Sequence, residues 1–385
     1  MPYGRFLSVL AAATVLASVG GFLSASPDPA VTLYVSCTGD DHNGGTAAAP
    51  LRSITAATRE VLPAGSRVLL ARGCSWTGPV ELRGSGTAEL PVVVGAYGTG
   101  SAPVLTGSPD AGTAGVVRLL GDFQAVQDVH VAGGAGPGVE ILGEHGTVRD
   151  AEIDGVGIGV LLCGRYGSVS GTRVHDLHMV VDTPGGDDDY GAVGFDVQAA
   201  GVEIAGSSCV NCRATSHDYG YDGGFAEVWN YGDDLDIHDS SGENTDGILE
   251  VGGNLPAASA QRVEIRDSRF DDAHGGIVIH QADRFGMPKS SLTVSGTTVV
   301  NTSASDNPVL SGQIRDVGFD GNFVSTPAVV SASGAPASHR CNTYDVAAPD
   351  KVGFAPDASE RLSGTAPLLQ PGSGLSCQTE ASPVR

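Results

Sequence analysis

Lysine is almost missing from this chain of 385 residues: only Lys289 and Lys351 occur, and 21 basic residues face 44 acidic ones, for a formal net charge of −23. Such a surface repels phosphate backbones and anionic bilayers, which excludes nucleic acid and membrane surfaces as partners. It also disfavours an anionic glycan unless a cation bridges the two. Aromatic residues make up only 5% of the chain, and beyond the N-terminus no apolar run is long enough to span a bilayer. Helical periodicity is scarce. Beyond Asn43-Gly44 no Asn-Gly dipeptide stands between the strand-like segments, which argues against a sandwich of hairpins.

What is present begins with Met1-Pro2-Tyr3-Gly4-Arg5, an apolar run from Phe6 to Leu23 and a small-residue exit at Ser24-Ala25-Ser26. These are the parts of a secretory signal peptide, so residues 1–28 are set aside from the fold and the mature protein is expected to be secreted. A membrane anchor is the alternative, but the run is rich in Ala, Ser and Gly and is marginal for that role. Export permits disulfides among the seven cysteines. Cys37 with Cys74 would staple the N-terminal part, and Cys341 with Cys377 the tail. Cys209-Val210-Asn211-Cys212 has no second Cys-x-x-Cys and no histidine at ligand spacing, which speaks against a metal pair. Cys163 is the odd cysteine, left over or paired with one of that couple.

The 56 glycines accompany a series of short strand-like segments. They begin at Val126, Val148, Val169, Val202, Leu235, Val263, Leu292 and Val317. Spacing of this kind, with no helical period, marks a β-solenoid whose coils bury their inner faces against one another. The spacing widens in the middle, where acidic and aromatic insertions occur at Thr183–Tyr190 and Ser216–Tyr221. Two smaller ones follow, Gly253–Ala260 and Asp283–Ser290. Loops on a rigid solenoid are where binding groups are displayed, and these four could wall a cleft.

The strands after the insertions superpose without gaps: Phe195-Asp196-Val197-Gln198, Ala226-Glu227-Val228-Trp229, Leu249-Glu250-Val251-Gly252 and Ile277-Val278-Ile279-His280. Strand side chains alternate between faces, so the apolar positions point inward. The outward ladders are then Asp196/Glu227/Glu250/Val278 and Gln198/Trp229/Gly252/His280. Stacked strands lie ~4.8 Å apart. Three carboxylates in such a row are unfavourable as mere structure.

Three readings compete for the row. As an acid/base pair, carboxyl groups ~5–9 Å apart suit glycoside hydrolysis, and mutual repulsion raises one pKa so that it can serve as the acid. Trp229, Tyr190, Tyr219, Tyr221 and Tyr231 would offer sugar-stacking faces, with His217 nearby. As a Ca²⁺ site, the row would be joined by Asp187, Asp188 and Asp189. The ion would be structural, or would neutralise a uronate for a lyase whose base is His280, Arg284 or Lys289. In the third reading the acids are solvated outward positions of a coil. Glu227 and Glu250 are the favoured catalytic pair, with Asp246, Asp196 and Asp222 in support and Trp229 as sugar platform.

Two resemblances bear on these readings. Tyr34-Val35-Ser36-Cys37-Thr38-Gly39-Asp40-Asp41-His42-Asn43-Gly44-Gly45-Thr46, followed by Pro50, Ser53-Ile54 and Ala56-Ala57, resembles the opening of secreted proteins of the pectate-lyase-like superfamily. The resemblance implies an all-β, right-handed parallel β-helix over residues 29–345, with Ser53 to Leu62 as a short N-terminal capping helix. With the repeats, about nine or ten coils are expected. Residues 346–385 would form an irregular C-terminal cap and tail. Asn244-Thr245-Asp246-Gly247 is similar to the Asn-Thr-Asp-Gly motif of polygalacturonase-type hydrolases, which implies a catalytic role for Asp246. The family's Asp-Asp and Gly-His-Gly are here merged into Asp271-Asp272-Ala273-His274-Gly275, and no Arg-Ile-Lys follows. The chain is therefore expected to be a secreted, monomeric carbohydrate-active protein that cleaves a glycan by hydrolysis. The alternatives are a calcium-dependent polysaccharide lyase and a non-catalytic glycan-binding or cell-surface β-helix.

Overall fold

The computed structural model describes residues 28–107, 112–281, 285–302 and 307–362. Nearly all of the expected signal peptide, and also Arg284 and Cys377, lie outside the described residues. Among the described residues no helix is long and apolar enough to cross a membrane.

Short strands stack in parallel, each paired with its counterpart one coil away. One sheet holds twelve of them, from Thr32–Val35 to Ser338–Arg340. Two further columns close the coil. One runs from Ser75–Thr77 to Arg361–Leu362, the other from Val80–Leu82 to Leu310–Gly312. The long strands His130–Ile141 and Glu152–Leu162 bend through a corner and serve both columns, with a register break between Val156 and Ile158. The chain is thus a right-handed parallel β-helix.

The alternation of side chains makes the core. Val, Leu, Ile and Phe fill the interior, among them Phe195, Phe225 and Phe270, whose rings meet tilted and edge-on at 5.1 and 5.2 Å between centroids. Each such side chain contributes roughly 1.5–3 kcal/mol by leaving water. Corners fall where Asp or Asn accepts a left-handed backbone at low cost, as at Asp176, Asn211 and Asn244. Asn244 Nδ2 donates to Asn211 Oδ1 at 2.8 Å, and Asn211 Nδ2 to Asp176 Oδ1 at 2.7 Å. The first residue of the Asn-Thr-Asp-Gly motif is thereby a rung of a corner ladder.

Two expectations need correction. Ser53 does cap a helix, accepting from the Ala56 amide, but that helix is only Ile54–Ala57. It stops well before Pro63 because Leu62 is buried and its amide bonds to the Arg83 carbonyl, so tertiary pairing wins over helix propagation. The solenoid register also slips by two residues where the first insertion enters. Val169 stacks on Ile204, not on Val202. Both side chains are buried, so the period of two allows either alignment.

Cys37 and Cys74 are joined as expected. Cys209 and Cys212 form their own disulfide and Cys163 keeps a free thiol. Cys341 is disulfide-bonded, and the Cys377 end of the expected pair is outside the described residues. The described part of the tail adds a 3-10 turn at Pro349–Val352 and the strand Arg361–Leu362, which pairs with Thr343–Asp345.

Candidate active site

The acidic ladder stands in the register expected from the sequence. Asp196 faces Glu227, Glu227 faces Glu250 and Glu250 faces Val278 across parallel strands. The inward neighbours Phe195, Ala226, Leu249 and Ile277 are all buried. The same outward column continues toward the N-terminus as Leu161, Glu140, Arg118 and Glu81. There acid alternates with base: Arg118 binds Glu81 at 2.9 Å and Glu140 at 2.6 Å. Between Asp196 and Glu250 the column has no such cation.

The electrostatic consequence is pronounced. Asp196 is only 7% exposed, covered by Gln198, whose Nε2 donates to both carboxylate oxygens at 3.3 and 3.1 Å. The expectation that it would face solvent was therefore wrong. Burial pushes its carboxyl up to about 7 against the pull of that hydrogen bond. Burial, then the charges of Asp196, Glu250 and Asp222, hold Glu227 well above the usual carboxylate range. Among the described residues Glu227 has no hydrogen-bond partner. Glu250 differs, for its Oε1 lies 2.8 Å from His280 Nε2.

A cleft of about 220 Å³ opens over the ladder. Its acidic lining is Asp222, Glu227, Asp246 and Glu250, its floor is rich in glycine, and Asn307, Pro308 and Ser311 stand on the far side. Among the described residues none that lines it is basic. Asp222 reaches it because Gly223 takes φ 114° and lies so close to Ala192 that a side chain would collide with that residue's carbonyl. Burial raises the Asp222 carboxyl to about 7, opposed by the Gly223 amide and reinforced by Glu250, Asp246 and Asp189. Asp246 is held differently: Arg213 Nε donates to its Oδ1 at 2.8 Å, while the guanidinium lies 3.4 Å over the Tyr221 ring.

The structure thus brings Asp222, Glu227, Asp246 and Glu250 into one cleft and leaves Asp196 beneath its edge. Trp229 does not line the cleft. It is half-buried, its ring 5.4 Å from Phe285, and with His280 it closes over Gly252. Asp271 is bound by Arg269, and Asp272 accepts from Thr302, so neither of that Asp-Asp pair enters the cleft. Arg284 is outside the described residues, and Lys289 is exposed and away from the lining.

The insertions form two antiparallel hairpins, Met179–Val181 with Tyr190–Gly191 and Ala214–Ser216 with Gly220–Asp222. Asp189 clamps them together. It accepts from the Thr183 amide at 2.7 Å, the Ser216 hydroxyl at 2.7 Å and the Asp218 amide at 3.0 Å. Although burial opposes its charge, these bonds bring its carboxyl down to about 2. The expected binding residues here are occupied with one another. Tyr219 Oη donates to Asp187 at 2.7 Å, and His217 Nδ1 sits 2.7 Å from Asp182. Tyr190 is exposed on its hairpin. Sequence reasoning missed Arg213 and the Asn307–Pro308 wall. Only the repeated Asp-Gly and Gly-Gly steps at 222–224, 246–247 and 275–276 signalled where the chain leaves room.

Calcium needs six to eight oxygens converging on one point. The acidic groups whose ligand atoms lie within 4.8 Å of one another, among the described residues, are Asp182/Asp189/His217, Asp188/Asp189/Asp218 and Glu203/Asp236/His238. The ladder is not among them, and Asp189 already spends its oxygens on amides and a hydroxyl. The ladder does not fit a calcium cage.

No family model and no curated protein sequence matches the chain. Solved structures do match its fold. A pectate lyase superposes with a TM-score of 0.59 at 18% identity, over 91% of this chain and 93% of its own. An alginate lyase from Paenibacillus sp. gives 0.50 at 15%, over 83% and 99%. A lacto-N-biosidase from Eubacterium ramulus gives 0.50 at 13%, over 86% and 67%. These structural neighbours are carbohydrate-active enzymes, and at such identities the likeness is one of fold.

Proposed function

We propose that the chain is a secreted glycan hydrolase that holds the scissile bond between Glu227 and Glu250. The observation that carries this reading is the step from Glu227 to Glu250 with no basic residue between them, in a column that elsewhere alternates acid with Arg118. A fold built on inward Val and Phe gains nothing from stacking outward acids ~4.8 Å apart, so the stack serves chemistry. Glu227, kept protonated by burial and by its acidic neighbours, gives its proton to the glycosidic oxygen as the bond to the anomeric carbon breaks. Glu250, oriented by His280, attacks that carbon with its carboxylate and forms a glycosyl ester. Water then cleaves the ester, transferring a proton to Glu227 and restoring both groups. The ~4.8 Å spacing of the two strands suits the ~5–5.5 Å carboxyl separation of the retaining geometry.

The neighbours that are lyases act on other proteins' terms. Lyase chemistry asks for a base to take the C5 proton and for a countercharge to a uronate, and among the described residues none that lines the cleft is basic. The test is a panel of neutral, amino and acidic glycans incubated with the purified mature protein. New reducing ends without ultraviolet-absorbing unsaturated uronate are expected. Unsaturated product, or no cleavage across the panel, would overturn the proposal.

A further inference from the structure

The cleft has an unbalanced lining whose best counterpart is a cation spread along a chain. Four carboxylates face it, Asp222, Glu227, Asp246 and Glu250, and among the described residues its lining includes no Arg, Lys or His, His280 standing outside it with its Nε2 2.8 Å from Glu250 Oε1. The nearby guanidinium, Arg213, is consumed, its Nε on Asp246 and its face on Tyr221. Glu227, half-buried and lining the cleft, has no side-chain hydrogen-bond partner among the described residues. The floor is backbone: Gly224, Gly247 and Gly276 present no side chain to a sugar ring lying across them. Resting on the hydrolase reading above, we propose that the substrate is a glycan carrying free primary amines, an unacetylated amino-sugar polymer whose ammonium groups seat against these acids.

The competing ligand classes fit less well. A uronate would place its carboxylate against four others in a half-buried site, where like charges repel more strongly than in water. A neutral sugar would bring no countercharge to Asp222, Asp246 and Glu250. A metal ion would need convergent oxygens, and no three acids of the cleft converge within 4.8 Å among the described residues. Ammonium groups spaced along a sugar chain instead match acids distributed over a cleft of about 220 Å³. Binding should then be linked to protons, because an arriving cation favours the charged form of acids that hold protons in the empty site. Asp222, raised to about 7 chiefly by burial, is placed to release its proton near neutrality.

The experiment is isothermal calorimetry of the intact mature protein at pH 7 in two buffers of different ionisation enthalpy. The probes are glucosamine and galactosamine tetramers, their N-acetylated counterparts and a galacturonate tetramer. The amine-bearing tetramer of one series should bind roughly tenfold more tightly than its acetylated form, as expected for an added charge pair in a half-buried site, and should release protons. Asp222→Asn should lower the proton count and the preference together, and millimolar calcium should not compete. Equal affinity for the acetylated form, tighter binding of the uronate, or no binding of any tetramer overturns the inference. Chromatography of the same samples separates the two claims. Cleavage of a neutral glycan without amine preference sinks only the substrate class, whereas amine-selective binding with no cleavage of any glycan sinks only the hydrolase reading.

Discussion

Glu227 and Glu250 occupy directly opposed positions on neighbouring parallel strands, with Asp196 one strand further on and no basic residue in the column between them. Earlier in the same column Arg118 separates Glu81 from Glu140 and binds both. One line of side chains thus shows how this fold neutralises outward acids when they are structural, and what it leaves undone over the cleft.

The first prediction concerns the proton on Glu227. Cleavage should persist above the pH at which an ordinary carboxyl has ionised and fall along an alkaline limb as Glu227 loses its proton. Asp196→Asn removes a charge that raises Glu227, so that limb should move to lower pH. Rates measured from pH 4 to pH 10 on both proteins check this. A limb that stays in place or moves upward contradicts it.

Stability should respond to pH through Asp196 in the direction opposite to acid denaturation. In the unfolded chain its carboxyl loses the proton near its ordinary value of 3.8, whereas the folded protein keeps it to about 7. Between those values the folded state binds more protons, so stability falls as pH rises and levels off above about 7. Thermal melts at pH 4.5 and pH 8 should show a smaller difference between the two conditions for Asp196→Asn than for the parent. Equal differences would remove Asp196 as the cause.

Arg213→Met should free Asp246 and unseat Tyr221 from the guanidinium. His274, whose ring is held below its ordinary value first by burial and then by the Arg213 charge, should titrate higher in the variant. Nuclear magnetic resonance of the imidazole protons reads that shift, and KM should rise with it if Asp246 contacts substrate. An unmoved His274 would show that the pair is absent in solution.

Asp189→Asn should uncouple the two insertion hairpins. The amides of Thr183 and Asp218, which now donate to this carboxylate, should exchange with solvent faster while the strands beneath keep their protection. Because the Asp189 carboxyl is brought down to about 2, the clamp should hold above the ordinary value of 3.8 and loosen as pH falls toward 2. Exchange rates unchanged by the substitution would mean that the hairpins stand without it.

The fold and the ladder were legible in the sequence because both follow from a period of two. Once Phe195, Ala226, Leu249 and Ile277 are placed inward, Glu227 and Glu250 must face out, and the strands align without gaps. The same period misled at Val202, since Ile204 two residues on is equally fit to stack on Val169. Burial of Asp196 was hidden because it depends on how Gln198 folds back over the strand. The Arg213–Asp246 pair joins residues 33 apart across a hairpin whose path no local pattern sets. Trp229 read as an exposed platform because Phe285, from a later insertion, was not foreseen as its cover.

The most direct test of the central claim is the release of reducing ends from the best glycan of the panel by the parent, Glu227→Gln and Glu250→Gln, with folding matched by circular dichroism. Each substitution should lower the rate by at least roughly a hundredfold, the lower bound for loss of a general acid. Azide should restore turnover in Glu250→Gln by standing in for the missing carboxylate, read by mass spectrometry as a glycosyl azide rather than as a reducing end. Variants that fold and cleave at the parental rate would contradict the assignment of these two residues and, with it, the hydrolase reading of the cleft.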